Sequence, residues 1–236
     1  MVREIERDLV ELKKFTNNYR MPDWDVNSNF QKTISQFHKK YIGFLTLCAE
    51  IKLDTTSSHS AFSTLQSLYL SETCSDCGLA FFDLLHGNYK SSKLLLRSSI
   101  ENFLKGISFT DIIDIHKEKS VYQIFDKVKA IPFFSSPTSL AQYDIIHNKY
   151  KLLCEDVHTA HQTNMAQLSA LNIFPSFNKT AAQKTVTIAT DLLSSYCALI
   201  LLKYNKFYHE SIHFKNKPII IQAVRRSIKP YINGMK

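Results

Sequence analysis

Glycine is scarce in this chain, at 5 of 236 residues, and proline is hardly commoner at 6. So few turn-formers exclude a collagen-like repeat and argue against an all-β fold, which needs a tight turn between successive strands. They also leave no glycine-rich phosphate loop, which argues against a nucleotide-hydrolysing enzyme of that kind. The 5 cysteines (Cys48, Cys74, Cys77, Cys154 and Cys197) are odd in number and dispersed. That pattern is unlike a disulfide framework and fits reduced thiols in a cytosol. A long apolar run is missing too. The first residues alternate charge with Ile and Leu, unlike a signal peptide, and the most apolar stretch, residues 196–202, is far too short to span a bilayer. The expectation is a cytoplasmic protein with no membrane partner.

What the chain does have is apolar material: 44% of it is hydrophobic and 12% aromatic, enough for one sizeable core. Apolar residues recur at three and four spacing, which predicts helices over residues 2–15, 29–51, 61–86 and 89–109, then 117–129, 139–171 and 180–208. Gly87-Asn88 is the pair expected where one helix stops, so residues 61–109 read as a helical hairpin. A last short segment, residues 218–228, reads as a helix, or as a strand through Ile219-Ile220-Ile221. With no fixed-period repeat and no Gly/Ser linker, residues 1–236 are read as one all-α helical bundle of about seven helices, the third, fourth, sixth and seventh forming the core.

Charge is unevenly spread. The chain carries 29 Lys+Arg against 21 Asp+Glu, a net +8. Residues 201–236 hold Lys203, Lys206, Lys215, Lys217, Arg225, Arg226, Lys229 and Lys236 against Glu210 alone, so +7 of the +8 lies there. Such a block is either a footprint for phosphate backbones or an acidic partner, or a solvated tail. RNA and a partner protein are the candidate partners.

Three constellations could carry chemistry. Arg97 and Glu101 stand one turn apart at the edge of a stripe formed by Leu96, Ile100, Phe103 and Ile107, where they can pair with each other. His147, Cys154 and His158 fall on one helical stripe, with Lys151 and His161 nearby. Three ligands from one helix make a weak metal signal, and neither a metal nor a cofactor is expected. His158 is also suited to proton transfer near neutral pH, and an arginine beside it could stabilise charge on a phosphate under attack. The pairs Cys74/Cys77 and His209/His213 read as semi-buried core thiols and a surface pair.

The run Leu94-Leu95-Leu96-Arg97-Ser98-Ser99-Ile100-Glu101, placed after Gly87, resembles the mark of a family of uncharacterised bacterial helical proteins. Tyr150, followed by a helical stretch ending in Val157-His158, resembles that family's second mark. The likeness spans roughly residues 61–161, and such proteins are similar in architecture to HEPN domains. It implies a HEPN-like bundle, working as a homodimer, from a toxin–antitoxin or antiviral defence system. It also implies either a module that binds RNA or a partner protein, or a metal-independent RNase using Arg97, Glu101 and His158. The usual HEPN pattern of an Arg followed four to six residues later by a His is absent. A purely structural helical dimer is the third reading.

Overall fold

The computed structural model describes residues 3–18, 27–157 and 175–234, and among these the chain is all-α, with ten α-helices and two short 3-10 turns. Helix α1 (Arg3–Asn18) inserts Ile5 and docks on α2 (Ser28–Asp54), where His38 Nε2 lies 2.7 Å from Asp8 Oδ2. The Asn27 side chain caps α2 by accepting from the Phe30 amide at 3.0 Å, supplying a partner that a first-turn N–H otherwise lacks. Asp54 then organises the connector, accepting from Ser60 Oγ and the Ala61 amide, and Ser63 caps α3 (Thr64–Leu85).

Helices α3 and α4 (Tyr89–Ser108) form the expected hairpin. Gly87 sits at φ 81°, with its amide bonded to Leu84 O and the Asn88 amide to Asp83 O, so two of the orphan carbonyls at the helix end are used. Across the hairpin Ser92 Oγ donates to Ala80 O at 2.7 Å and Asn102 to Asp76 at 3.0 Å. After α5 (Val121–Lys129) and a Pro132 turn, α6 (Pro137–Val157) runs back, with Tyr143 Oη donating to Phe125 O. The rest of the helix expected over 139–171 lies outside the described residues.

Helix α7 (Lys179–Lys203) is the central rod, buried all round from Leu192 to Leu202. It is long and apolar enough to cross a membrane, more so than the stretch 196–202 suggests, but 83% of its most apolar window is enclosed by the other helices. Phe103 stacks on Tyr196 with ring centroids 4.0 Å apart, Phe44 meets the same ring at 5.7 Å, and Tyr196 Oη pairs with Ser99 Oγ at 3.1 Å. Helix α2 therefore belongs to the core beside α3, α4, α6 and α7.

The helix expected over 180–208 is broken. Tyr204, at φ −110° and ψ 48°, ends α7, and α8 (Asn205–Glu210) restarts it. The segment expected over 218–228 is helical, not a strand, but only through Ala223. Pro218 lies in the first turn of α9 (Lys217–Ala223), and Ile219, Ile220 and Ala223 fall on one buried face. That face packs against Gly43 of α2 so closely that a Cβ on Gly43 would lie 2.5 Å from that of Ala223. The chain then turns at Val224 and ends with α10 (Lys229–Gly234).

Candidate functional site

Leu96 and Ile100 turn into the core, which swings Arg97, one position on from Leu96, toward α6. There Tyr150 and Cys154, four residues apart on one face of α6, receive it. Arg97 Nη2 donates to Tyr150 Oη at 3.1 Å, Nε donates to Cys154 Sγ at 3.5 Å, and the guanidinium carbon lies 5.2 Å from the Tyr150 ring centre. The Cys154 contact comes first in holding the Arg97 pKa above its ordinary value, against the effect of burial. Burial is the leading cause that pushes Tyr150 up to about 12, so its phenol is neutral at physiological pH. Among the described residues Arg97 meets no carboxylate. Among these residues its charge is oriented but not neutralised.

Aromatic rings floor the site. Phe125 lies 5.2 Å from Tyr150 and 4.6 Å from His147, while Tyr122, 64% exposed, meets Tyr150 edge-on at 6.2 Å. Burial, then Lys151 and Lys129, lower the His147 pKa, leaving a neutral imidazole. His147 and Cys154 are half-buried on α6, where His147 lies beside Phe125 and Cys154 accepts from Arg97, while Lys151 between them is exposed. His158 and His161 lie outside the described residues. Among the described residues no three His, Cys, Asp or Glu side chains gather closely enough to hold a metal ion.

Glu101 does not pair with Arg97. It accepts from Lys105 Nζ at 2.8 Å one turn further on, because the half-buried Arg97 head is drawn across to α6 while Lys105 lies along α4 with its side chain 10% exposed. Cys74 and Cys77 are fully buried in the core, not semi-buried. The Cys48–Cys74 hydrogen bond is the leading cause raising the Cys48 pKa, and burial raises that of Cys77. His209 is no plain surface residue, since its Nε2 lies 3.1 Å from Ile232 O.

The C-terminal cations divide into two groups. Lys203 bonds Ile107 O and Asp111, Lys217 donates to His209 O at 2.7 Å, and Arg225 donates to Gln142, Ser195 and Asp191. These three tie helices together. Asp191 also takes Lys149 at 2.8 Å; burial works to raise its pKa, but the bonds from Lys149 and Arg225 prevail and hold it low. Lys206 reaches Glu210 at 3.8 Å, and Lys215 lies near the Phe214 ring, both toward solvent. Arg226 and Lys229 have no carboxylate partner among the described residues. Lys39 and Lys40 of α2 approach Lys229, a contribution that counting charge along the C-terminus misses, although the doublet itself is visible in the sequence.

Comparison with known proteins returned no matching family model, no matching curated protein and no matching solved structure.

Proposed function

We propose that this chain is an RNA-binding helical module of the HEPN-like kind, an accessory or effector protein of a defence or toxin-type system, in which Arg97 receives a backbone phosphate. The observation that carries this reading is the Arg97 guanidinium, oriented by the neutral Tyr150 and by the Cys154 sulfur, and left without a carboxylate among the described residues. An arginine presents five donors in a rigid fork suited to phosphate oxygens, and two fixed contacts hold that fork in advance of the ligand. Tyr122, exposed beside Tyr150, offers a ring face on which an unpaired base could stack.

Binding of a single-stranded RNA followed over a salt series tests the reading. Phosphate contacts give an affinity that falls linearly on logarithmic axes as salt rises, and absence of binding at low salt would end it. The same samples, incubated with EDTA and run on a gel, separate binding from cleavage. RNA cut by the wild type but by neither Arg97→Ala nor His158→Ala would replace the binding module with a metal-independent RNase.

A further inference from the structure

The second feature is a convergence of cations where α2 meets the C-terminal segment. Gly43 lets α9 approach α2 closely, and one turn earlier Lys40 Nζ donates to Ala223 O at 2.6 Å, a carbonyl that also accepts from Ser194 Oγ at 2.8 Å. This contact fixes the Lys40 ammonium at the C-terminal end of α9, where the chain turns through Arg225 and Arg226 into α10. Lys39 immediately precedes Lys40 on α2, and Lys229 opens α10.

The four cations are linked in a chain of neighbours: Lys40 lies within reach of Lys39 and Lys229, and Lys229 within reach of Lys39 and Arg226. Burial comes first in bringing the Lys40 pKa down to about 8, with Lys39, Arg225 and Lys229 lowering it further and only the Cys197 thiol of α7 opposing them. Lys229 is lowered by burial, then by Lys39 and Arg226. Nearby carboxylates among the described residues are engaged elsewhere: Arg225 is already matched by Asp191, and Asp8 is taken by His38. Among the described residues none of Lys39, Lys40, Arg226 and Lys229 has an acidic partner. Lys40 spends one of its three donors on Ala223 and keeps two. Like charges held near one another with no counter-charge among the described residues repel, and an anion bound among them lowers that cost.

We propose that Lys39, Lys40, Arg226 and Lys229 form a phosphate-binding site, distinct in its residues from the Arg97 site, which takes the phosphate groups of an RNA backbone. The assignment of RNA as the source of those phosphates rests on the function proposed above; the preference for phosphate oxygens rests on the four cations alone. Compact ammonium groups and an exposed guanidinium read charge and not base, so this site adds affinity without sequence preference.

The test uses the full chain with Lys39, Arg226 and Lys229 all changed to alanine. Lys40 stays, so its bond to Ala223 is kept, and thermal unfolding checks that the variant is folded. Two probes are used: a fluorescent oligoadenylate followed by anisotropy, and inorganic pyrophosphate followed by its effect on the melting temperature. The triple variant is expected to bind oligoadenylate at least about tenfold more weakly, with a salt slope shallower by about 2, at roughly 0.7 per single-strand phosphate contact. Pyrophosphate is expected to raise the wild-type melting temperature and not the variant's.

Oligoadenylate bound equally by wild type and triple variant, but lost in Arg97→Ala, would overturn this site and leave the RNA reading standing. Pyrophosphate stabilising only the wild type, with no oligoadenylate bound by either, would keep the phosphate site, make free phosphates its ligand and overturn the RNA reading. No response to either probe would overturn both.

Discussion

Arg97 on α4 and Tyr150 on α6 are joined by a 3.1 Å hydrogen bond and by the 5.2 Å approach of the guanidinium to the tyrosine ring. Tyr150→Phe keeps the ring and removes only the acceptor, so the guanidinium is less well held while the charge count stays the same. RNA affinity should fall about 3- to 10-fold with an unchanged salt slope, since a hydrogen bond to a charged group is worth about 1.5–3 kcal/mol and part of it remains with Cys154. Anisotropy titrations at several salt concentrations read both quantities. A change of slope would mean that Tyr150 acts through charge and not through orientation.

Phe103 is fully buried and stacks on Tyr196, the ring at which α2, α4 and α7 meet. Phe103→Ala should cost about 3–5 kcal/mol, the usual loss for emptying an aromatic site in a packed core. Urea unfolding followed by circular dichroism measures it. A loss under about 1 kcal/mol would show that this ring stack is not central to the core.

Gly87 turns the α3–α4 hairpin at φ 81°, and a Cβ there would also clash with the Ser176 carbonyl oxygen. Gly87→Ala should lose about 1–2 kcal/mol from the left-handed backbone alone, with the clash adding to it. Equilibrium unfolding gives the value. An unchanged denaturant midpoint would contradict the turn geometry.

Lys40 gives a pH signature with two opposite arms. Its folded pKa of about 8 lies below its ordinary 10.5, so between those values the unfolded chain holds more proton and stability rises with pH. This contribution is full above the ordinary value and gone below pH 8. Phosphate affinity runs the other way, falling as Lys40 loses its charge above pH 8. Arginine does not titrate in this range, so Lys40→Arg should flatten the loss of oligoadenylate affinity between pH 7.5 and 9. Parallel fluorescence titrations of wild type and variant check it, and equal pH dependence in both would show that Lys40 does not contact the ligand.

Much of the helical plan was legible in the residues. The three and four spacing marked α1 through α7, and Gly87-Asn88 announced the hairpin turn, because both signals are local. Tyr204 could not be foreseen as a break, since a tyrosine carries no stop signal and only tertiary packing ends α7 there. The strand alternative for Ile219-Ile220-Ile221 was decided by which residues Gly43 lets approach, a long-range fact. In the candidate site, Arg97 stood out as a cation beside an apolar stripe, but its partner did not. Glu101 sits at the right spacing, yet the guanidinium turns to α6 and Lys105 takes the carboxylate. A linear count of C-terminal charge likewise cannot separate Lys203 and Lys217, which donate to carbonyls of Ile107 and His209, from Lys229, which lies near Lys39, Lys40 and Arg226.

The most direct measurement is the affinity of one single-stranded RNA for wild type, Arg97→Lys and Arg97→Ala at low and moderate salt, each protein first shown to melt cooperatively. Binding by the wild type, partial loss in Arg97→Lys and a loss of about tenfold or more in Arg97→Ala are the expected results, because lysine keeps the charge and loses the fork. Equal RNA affinity for all three folded proteins, or no binding by the wild type at low salt, would contradict a phosphate-receiving role for Arg97.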